Sequence, residues 1–292
     1  MSVSTVGLIG VGLAGTAIAE RLLAAGCRVE GFDIDSNRLD ALEKLGGRRV
    51  VHLNQMSAET VFLSLPDAEA VQEALLGEGG VFSGAAPVRA VIDATTGDPR
   101  TSVQLEKRLR GIGADYLDAP ISGSSAQIRA GEAVFMAGGR RAAFERLRPL
   151  MESVLPRVVY IGGPGFGMKA KLATNLLLGL NRAALAEALL FAESQGLERG
   201  GFLELAKITP ARSSAIDAKG EKLTREDFTP QSRVSQHLKD LHLILECADG
   251  ANLRLPFADQ HARLLERLCA DGMGGLDSSA VLLAIRNSGV SE

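Results

Sequence analysis

The chain has 292 residues, of which 46% are hydrophobic, and its formal net charge is −3. This length and composition are typical of a globular protein with two modest domains. The net charge excludes the basic surface that nucleic-acid binding requires. With no Trp and only two Tyr, the chain also has little aromatic surface on which bases could stack. We therefore expect no nucleic-acid partner.

The cysteine content and the hydrophobic segments indicate a cytoplasmic protein. The three cysteines are odd in number and widely spaced, so we predict neither a disulfide framework nor a metal site. The N-terminal residues lack the basic region of a signal peptide. The longest apolar segment, 172–192, is interrupted by Asn175, Asn181, Arg182 and Glu187, and we therefore predict no membrane span.

A glycine-rich turn at 10–15 follows the first apolar run of the chain. A helical pattern comes next, and then a second apolar run that ends at Asp33, 18 residues after Gly15. The GxGxxG pattern is weak alone, but in this strand–turn–helix–strand setting it is typical of dinucleotide binding. Gly10 would allow the tight turn, Gly12 would let the backbone approach a pyrophosphate, and Gly15 would let helix and strand pack closely. The helix N-terminus would then bind the anion.

Alternating strand and helix patterns continue to about residue 162. They predict a mostly parallel sheet that is covered by helices on both faces. In such sheets, ligands bind beyond the carboxyl ends of the strands. The residues predicted at those ends include Pro66, Thr95, Thr96, Ser122 and Gly123.

Only helical patterns occur from residue 163 onward. The longest begins near Gly165 and continues to about Gly196 without an internal proline. We therefore predict an α/β chain with a Rossmann-type, doubly wound parallel sheet over 1–162. An all-helical substrate and dimerisation domain over 163–292 would be joined to it by the long interdomain helix. The apolar helix favours self-association, as a homodimer or homotetramer.

Two lysines lie near the start of the long helix. Lys171 and Asn175 are four residues apart and share a helix face, whereas Lys169 points almost the opposite way. Oxidation of an alcohol needs a base, and none of the four histidines lies at a strand end or beside the glycine turn. A lysine can serve where burial or a nearby cation lowers its pKa. From these residues alone, Lys171 as a base and Lys171 as a solvated helix charge are equally open.

Five motifs follow one another along the chain in an order that resembles a known family. They are GVGLAG at 10–15, DATTGDP at 93–99, DAPISG at 118–123, GxGxxxKxxxN at 165–175 and KDL at 239–241. On these motifs the chain resembles the β-hydroxyacid dehydrogenases, the family of 3-hydroxyisobutyrate dehydrogenase and tartronate semialdehyde reductase. The resemblance covers nearly the whole chain. It implies hydride transfer between a nicotinamide cofactor and a small β-hydroxyacid or the matching semialdehyde.

The resemblance also implies roles for individual residues. Lys171 would be the general acid/base, with Asn175 as its partner at the substrate. Ser122 and Gly123 would bind the substrate carboxylate, and Lys239 would contact the same carboxylate or the cofactor. The residues expected to contact the cofactor are Gly10, Gly12, Leu13, Ala14, Gly15, Asp33, Leu65, Pro66, Thr96 and Lys239.

Three residues depart from the family pattern at positions expected to adjoin the pocket. Ala14 replaces a methionine that is usual in the glycine turn, and Ser124 replaces a second glycine after Ser122. Ser214 stands where an aromatic residue is frequent. The substrates of the best-known members therefore cannot be transferred directly to this chain.

The cofactor is expected to be NAD, with NADP as the alternative. Asp33 would accept the adenosine ribose hydroxyls and repel a 2′-phosphate. NADP-using relatives tend to carry an arginine directly after this position, where this chain has Ile34, although Arg38 is close in sequence.

Two other functions are alternatives to a hydroxyacid dehydrogenase. One is an NADPH-dependent aldehyde or imine reductase of the same superfamily, but imine reductases usually lack the lysine at 171. The other is a non-catalytic dinucleotide-binding protein, which the presence of Lys171, Asn175 and Ser122 disfavours. Asp240 is expected to be a structural partner, and Asp277 a helix N-cap.

Overall fold

The computed structural model describes residues 4–84 and 87–288, which form two compact units. The first unit extends to Lys171 and the second begins at Leu172. Each unit has its own core of buried apolar side chains. The sequence-based domain boundary between 162 and 163 stays a prediction.

One nine-stranded sheet organises the first unit. Its strands are β1 (Thr5–Ile9), β2 (Arg28–Phe32), β3 (Arg48–Arg49), β4 (Thr60–Leu63), β5 (Ala90–Asp93), β6 (Asp115–Asp118), β7 (Ile121–Ser122), β8 (Val134–Gly139) and β9 (Arg157–Gly162). The spatial order is β3-β2-β1-β4-β5-β6-β8-β7, and β9 pairs with β8. All pairs are parallel except those that β8 forms with β6 and β7.

Six α-helices connect consecutive strands of this sheet in the described part of the chain. They are α1 (Leu13–Ala24), α2 (Ser36–Lys44), α3 (Ala68–Leu76), α4 (Pro99–Gly111), α5 (Ser125–Ala130) and α6 (Arg141–Val154). Asp35, Asp67 and Asp98 cap α2, α3 and α4, because each carboxylate accepts a hydrogen bond from an N–H of the first turn. Two apolar clusters, both rich in Val, Ile and Leu, pack against the sheet. The predicted α/β class is confirmed.

The strand order reverses at β1, which pairs with β2 on one side and β4 on the other. Chain connections leave the sheet in opposite directions at such a point, so a crevice opens beyond the carboxyl ends of the two strands. The glycine turn after β1 and the segment that follows β4 lie at this edge. The glycine turn and the segment that carries Leu65 and Pro66 therefore lie at the edge where α/β sheets bind ligands.

Within the described residues, the second unit consists of helices and their connections, with one isolated β-bridge between Arg233 and Asp277. Its helices are α7 (Phe166–Ser194), which begins in the first unit, α8 (Arg199–Ile208), α9 (Ser214–Arg225), α10 (Val234–Asp249), α11 (Pro256–Ala270) and α12 (Val281–Ser288). A 3-10 turn, Ser278–Ala280, precedes α12. By length and composition alone α7 could cross a membrane, a property that it shares with long helices of soluble proteins. The predicted all-helical second half is confirmed.

Candidate active site

The glycine turn fits a dinucleotide pyrophosphate. Gly10 has a φ of +90°, and a Cβ on it would lie 2.2 Å from a backbone carbonyl oxygen beyond β4. A Cβ on Gly15 would lie 1.9 Å from the Gly10 carbonyl oxygen, so both positions require glycine. The space beside Gly12 is open, since the nearest atom to an added Cβ is a guanidinium nitrogen of Arg38 at 3.7 Å. Gly12 provides no side-chain cap, and the first N–H groups of α1 are therefore available to an anion.

Asp33 both shapes this turn and presents a negative charge beyond β2. Its Oδ2 accepts a hydrogen bond from the Val11 N–H at 2.7 Å, and its Oδ1 accepts one from the Asp35 N–H at 2.9 Å. The Arg38 guanidinium lies 3.4 Å from the same Oδ2. Ile34, directly after Asp33, is 96% exposed. A carboxylate oxygen has two lone pairs, so Asp33 retains capacity to accept a ribose hydroxyl.

A buried hydrogen-bond network joins the segments that follow β4 and β5. The Leu65 N–H donates to Thr95 Oγ1 at 3.1 Å, and the Thr95 N–H donates to Asp93 Oδ1 at 2.9 Å. The Tyr116 hydroxyl donates to the second Asp93 oxygen at 2.7 Å. Burial raises the pKa of Asp93 to about 6, although these hydrogen bonds oppose the shift. The network fixes the segments that carry Leu65 and Thr96. The role of Asp93 is not evident from the sequence, since Tyr116 lies 23 residues away.

The two lysines near the start of α7 have different surroundings. Lys171 is half-buried, and its Nζ donates a hydrogen bond to the Ile121 carbonyl oxygen at 2.8 Å. Lys169 is exposed, and its Nζ lies 4.5 Å from the centre of the Phe166 ring. Because the Ile121 carbonyl belongs to the peptide before Ser122, the Lys171 amine adjoins the predicted carboxylate-binding segment. The two lysines thus differ in burial and in contacts, as expected if they lie on different faces of the helix.

The segment after β7 turns sharply at glycine and then enters α5. Gly123 has a φ of +146°, and a Cβ there would lie 2.6 Å from Cβ of Ala133. Ser124 forms a capping box, in which its hydroxyl accepts a hydrogen bond from the Gln127 N–H and the Gln127 side chain accepts one from the Ser124 N–H. The departure from glycine at Ser124 therefore has a structural role as the N-cap of α5.

The predicted site residues of the second unit lie on α7, α9 and α10. The Asn175 amide donates a hydrogen bond to Asp240 Oδ2 at 2.9 Å. Lys239, the neighbour of Asp240 on α10, is exposed. Ser214 is the exposed first residue of α9. Asn175 and Asp240 are 65 residues apart in sequence, so no local sequence pattern predicts their contact.

Asp277 is a structural carboxylate, as predicted. It is fully buried, and it accepts hydrogen bonds from the N–H groups of Gln231, Ser232 and Ser279 and from Nζ of Lys219. Burial alone would raise the pKa of Asp277, but these bonds outweigh it and lower the pKa to about 2. The carboxylate caps the 3-10 turn and ties it to the segment before α10.

The four histidines lie on the surface or pack inside the second unit. His52 and His242 are exposed. His237 and His261 are buried against each other in the second unit, with ring centres 5.1 Å apart. Burial lowers the pKa of His237 well below its usual value and that of His261 to about 4.

The fold and the glycine turn together define a dinucleotide-binding protein. A family model described as the NAD binding domain of 6-phosphogluconate dehydrogenase matches residues 5–162. A second model, described as "NAD-binding of NADP-dependent 3-hydroxyisobutyrate dehydrogenase", matches residues 165–285. The chain belongs to the β-hydroxyacid dehydrogenase family, as its five motifs predicted.

Relatives of known activity match the chain along nearly its whole length. The 2-hydroxy-3-oxopropionate reductase of Escherichia coli K12 is 32% identical over 289 residues, which cover 96% of each chain. The 2-(hydroxymethyl)glutarate dehydrogenase of Eubacterium barkeri is 32% identical over 280 residues, covering 95% of this chain and 93% of the relative. The crystal structure of a 3-hydroxyisobutyrate dehydrogenase from Salmonella typhimurium is 27% identical, with a TM-score of 0.85 over 96% of this chain and 99% of that chain. This chain is accordingly an NAD(P)-dependent oxidoreductase that acts on the CH–OH group of a small hydroxyacid.

Proposed function

We propose that Lys171 is the general acid/base of a hydride transfer between NAD and a small β-hydroxyacid, or of the reverse reduction of the matching semialdehyde. The observation that carries this proposal is the hydrogen bond from Lys171 Nζ to the Ile121 carbonyl oxygen, at 2.8 Å. It puts a proton-transferring amine beside the Ser122–Gly123 segment, to which we assign the substrate carboxylate. Lys169, the other lysine of the same helix turn, is exposed.

Different residues bind the substrate and transfer the proton. Bound NAD supplies the hydride acceptor. The Ser122 hydroxyl and the Gly123 N–H hold the carboxylate, and an anchored carboxylate restricts where the neighbouring carbinol carbon can lie. During oxidation Lys171 takes the proton of the hydroxyl as the C–H bond breaks, and in reduction it returns that proton. From the chemistry of their side chains, we assign Asn175 to the substrate hydroxyl and Lys239 to the carboxylate or the cofactor.

Substitution of the two lysines tests this proposal. Lys171→Ala is expected to reduce kcat by about 100-fold or more, because general acid–base catalysis contributes about that much. Affinity for NAD, measured by calorimetry, should be unchanged. Lys169→Ala is the matched control, since it removes the same charge two residues away, and it should retain wild-type turnover. Equal loss of turnover and of NAD affinity in Lys171→Ala would make Lys171 a structural residue.

The substrate is best sought among small hydroxyacids and semialdehydes, assayed with both cofactors. Ala14, Ser124 and Ser214 depart from the family pattern, so the panel should extend beyond the substrates named for the relatives. Turnover of a β-hydroxyacid or its semialdehyde is expected. Turnover of imines alone would instead place the chain with the imine reductases.

NAD is proposed in preference to NADP. The support is the Asp33 carboxylate beyond β2 and the exposed apolar Ile34 directly after it. A 2′-phosphate would meet a negative charge there without a facing arginine at 34. The Arg38 guanidinium lies close to this carboxylate, 3.4 Å from Asp33 Oδ2.

We further propose a cytoplasmic homodimer or homotetramer, with neither a membrane nor a nucleic acid as partner. Large apolar side chains that the second unit exposes support self-association; they include Leu177, Phe191, Ile208 and Phe257. The buried cation Arg182 lies in the middle of α7, where a membrane-spanning helix would not tolerate it easily. Light scattering after size-exclusion chromatography should give two or four chains, and a monomer would contradict this part of the proposal.

A further inference from the structure

Asp118 is a fully buried carboxylate that none of the roles above uses. It lies at the carboxyl end of β6, between β5 and β8, and is 0% exposed. Its Oδ1 accepts a hydrogen bond from the Gly165 N–H at 2.8 Å, and its Oδ2 accepts one from the Met168 N–H at 3.0 Å. Gly165 precedes α7 and Met168 lies in its first turn. Asp118 therefore caps α7 across 47 and 50 residues of sequence.

The capping group of α7 comes from β6 because Gly165 has no side chain of its own to offer. A carboxylate at a helix N-terminus satisfies N–H groups that lack intrahelical partners, and it interacts favourably with the helix dipole. Burial raises the pKa of Asp118 to about 6, opposed by the bonds from Met168 and Gly165. The group is therefore mainly ionised at neutral pH.

Two glycines allow the first turn of α7 to lie directly against β6 and β8. A Cβ on Gly167 would lie 2.2 Å from the Asp118 carbonyl oxygen and 2.4 Å from that of Met136. A Cβ on Gly138 would lie 2.5 Å from the Gly167 nitrogen and 2.7 Å from each carboxylate oxygen of Asp118. The helix start thus has no room to approach the sheet more closely. The two N–H bonds to Asp118 keep it from moving away.

The amine of Lys171 contacts β7, the strand that follows Asp118 in sequence. Lys171 follows Met168 by three residues, and its Nζ donates to the carbonyl oxygen of Ile121, which follows Asp118 by three residues. We propose that Asp118 is a positioning residue: by fixing the first turn of α7, it holds the Lys171 amine against the Ser122 peptide. This inference rests on the proposed function of Lys171.

Asp118→Asn and Asp118→Ala test the positioning role, with Asp115→Asn as the matched control. Asp115 lies on the same strand, three residues earlier, and forms ion pairs with Arg140 and Arg146. Asp118→Ala should lower kcat by about 100-fold, the effect of displacing a catalytic group by roughly 1 Å. Affinity for NAD should not change, and hydrogen exchange at the Met168 amide should accelerate. Asp118→Asn keeps one acceptor oxygen and should show a smaller loss, whereas the control should match wild type.

Three results would overturn the positioning role. The first is wild-type kcat in Asp118→Asn despite faster exchange at Met168. The second is a parallel fall of kcat and NAD affinity, which would mark a purely structural residue. The third is full turnover in Lys171→Ala, which would overturn the proposed function and the positioning role together. If Lys171→Ala is inactive and Asp118→Asn is not impaired, only the positioning role fails. Should Asp118→Ala not fold, Asp118→Asn and its Met168 exchange rate decide.

Discussion

Lys171 and Lys169 are separated by one residue and differ entirely in surroundings. Helix geometry was enough to predict that they face different ways. The hydrogen bonds that give Lys171 its setting were not predictable, because its acceptor Ile121 and the capping residue Asp118 lie about 50 residues earlier in sequence. Asp118 and Ile121 both belong to the recognisable motif at 118–123. The motif alone does not show that the Asp118 carboxylate binds the start of α7. Contact between distant segments is what the structure adds at this scale.

Cofactor preference is best tested at Ile34, because Asp33 also holds the Val11 N–H and its loss would disturb the glycine turn. Ile34 is 96% exposed, so an arginine fits without repacking. Ile34→Arg should raise the ratio of kcat/KM for NADP over NAD by about tenfold, since a hydrogen bond to a charged group contributes about 1.5–3 kcal/mol. The measurement is initial rates with both cofactors.

Ile112→Arg is the control for that substitution. Ile112 is 54% exposed and precedes β6, at the amino ends of the strands and away from the cofactor edge. It adds the same charge and should leave the cofactor ratio unchanged. An equal shift in both variants would mean that net charge, and not the position after Asp33, sets the preference.

At the scale of elements, the long periodic segments were predictable and the short polar ones were not. Helix α3 and most of α7 follow from apolar spacing alone. The two-residue strand β3 has no apolar pattern; it pairs with Glu30 and Gly31, and Arg48 forms an ion pair with Glu30. Helix α5 is six residues long and depends on the capping box of Ser124. Such elements are stabilised by individual polar contacts, which periodicity cannot reveal.

Helix α7 contains a glycine whose replacement should destabilise the second unit. A Cβ on Gly179 would lie 2.4 Å from His237 Nε2 and 3.2 Å from His261 Cε1. Gly179→Ala should therefore lower the free energy of unfolding by about 1–3 kcal/mol, the usual effect of overpacking. Chemical denaturation followed by far-ultraviolet circular dichroism measures it.

The matched control for Gly179 is Gly201, a helical glycine of α8. The nearest atom to a Cβ there would be Glu198 Oε2 at 3.6 Å, an ordinary contact. Gly201→Ala should raise the free energy of unfolding by up to about 1 kcal/mol, because alanine favours the helix. A stabilised Gly179→Ala would show that the two histidines can move aside.

At the scale of the whole molecule, the two units carry buried ionisable groups that respond to pH in opposite ways. In the first unit, burial raises the pKa values of Asp93 and Asp118 to about 6, so the fold is least favoured when both are ionised. In the second unit, burial lowers the pKa values of His237 and His261. As the pH falls, these histidines bind protons in the unfolded chain before they do so in the folded one, and the folded state loses stability. The sequence could not predict that Asp93 and Asp118, or His237 and His261, are neighbours, because the members of each pair belong to different elements.

Lowering the pH from 7 to 5 should therefore stabilise the first unit and destabilise the second. Protonation of Asp93 and Asp118 relieves their buried charge as the pH falls through 6. For His261 the range extends from the usual 6.5 down to about 4, which corresponds to about 3 kcal/mol over the whole range. Hydrogen exchange, corrected for the intrinsic effect of pH, should show increased protection in β5 and β6 and reduced protection in α10 and α11. Changes of the same sign in both units would contradict this account.

Chemical rescue tests most directly whether Lys171 transfers the proton. In Lys171→Ala, single-turnover reduction of bound NAD by the best substrate of the panel should be slow. Added small primary amines should restore it, with a rate that rises with amine concentration, because they supply the missing acid/base. The Lys169→Ala control should need no amine. Reduction of NAD by Lys171→Ala at the wild-type rate, without added amine, would contradict the account.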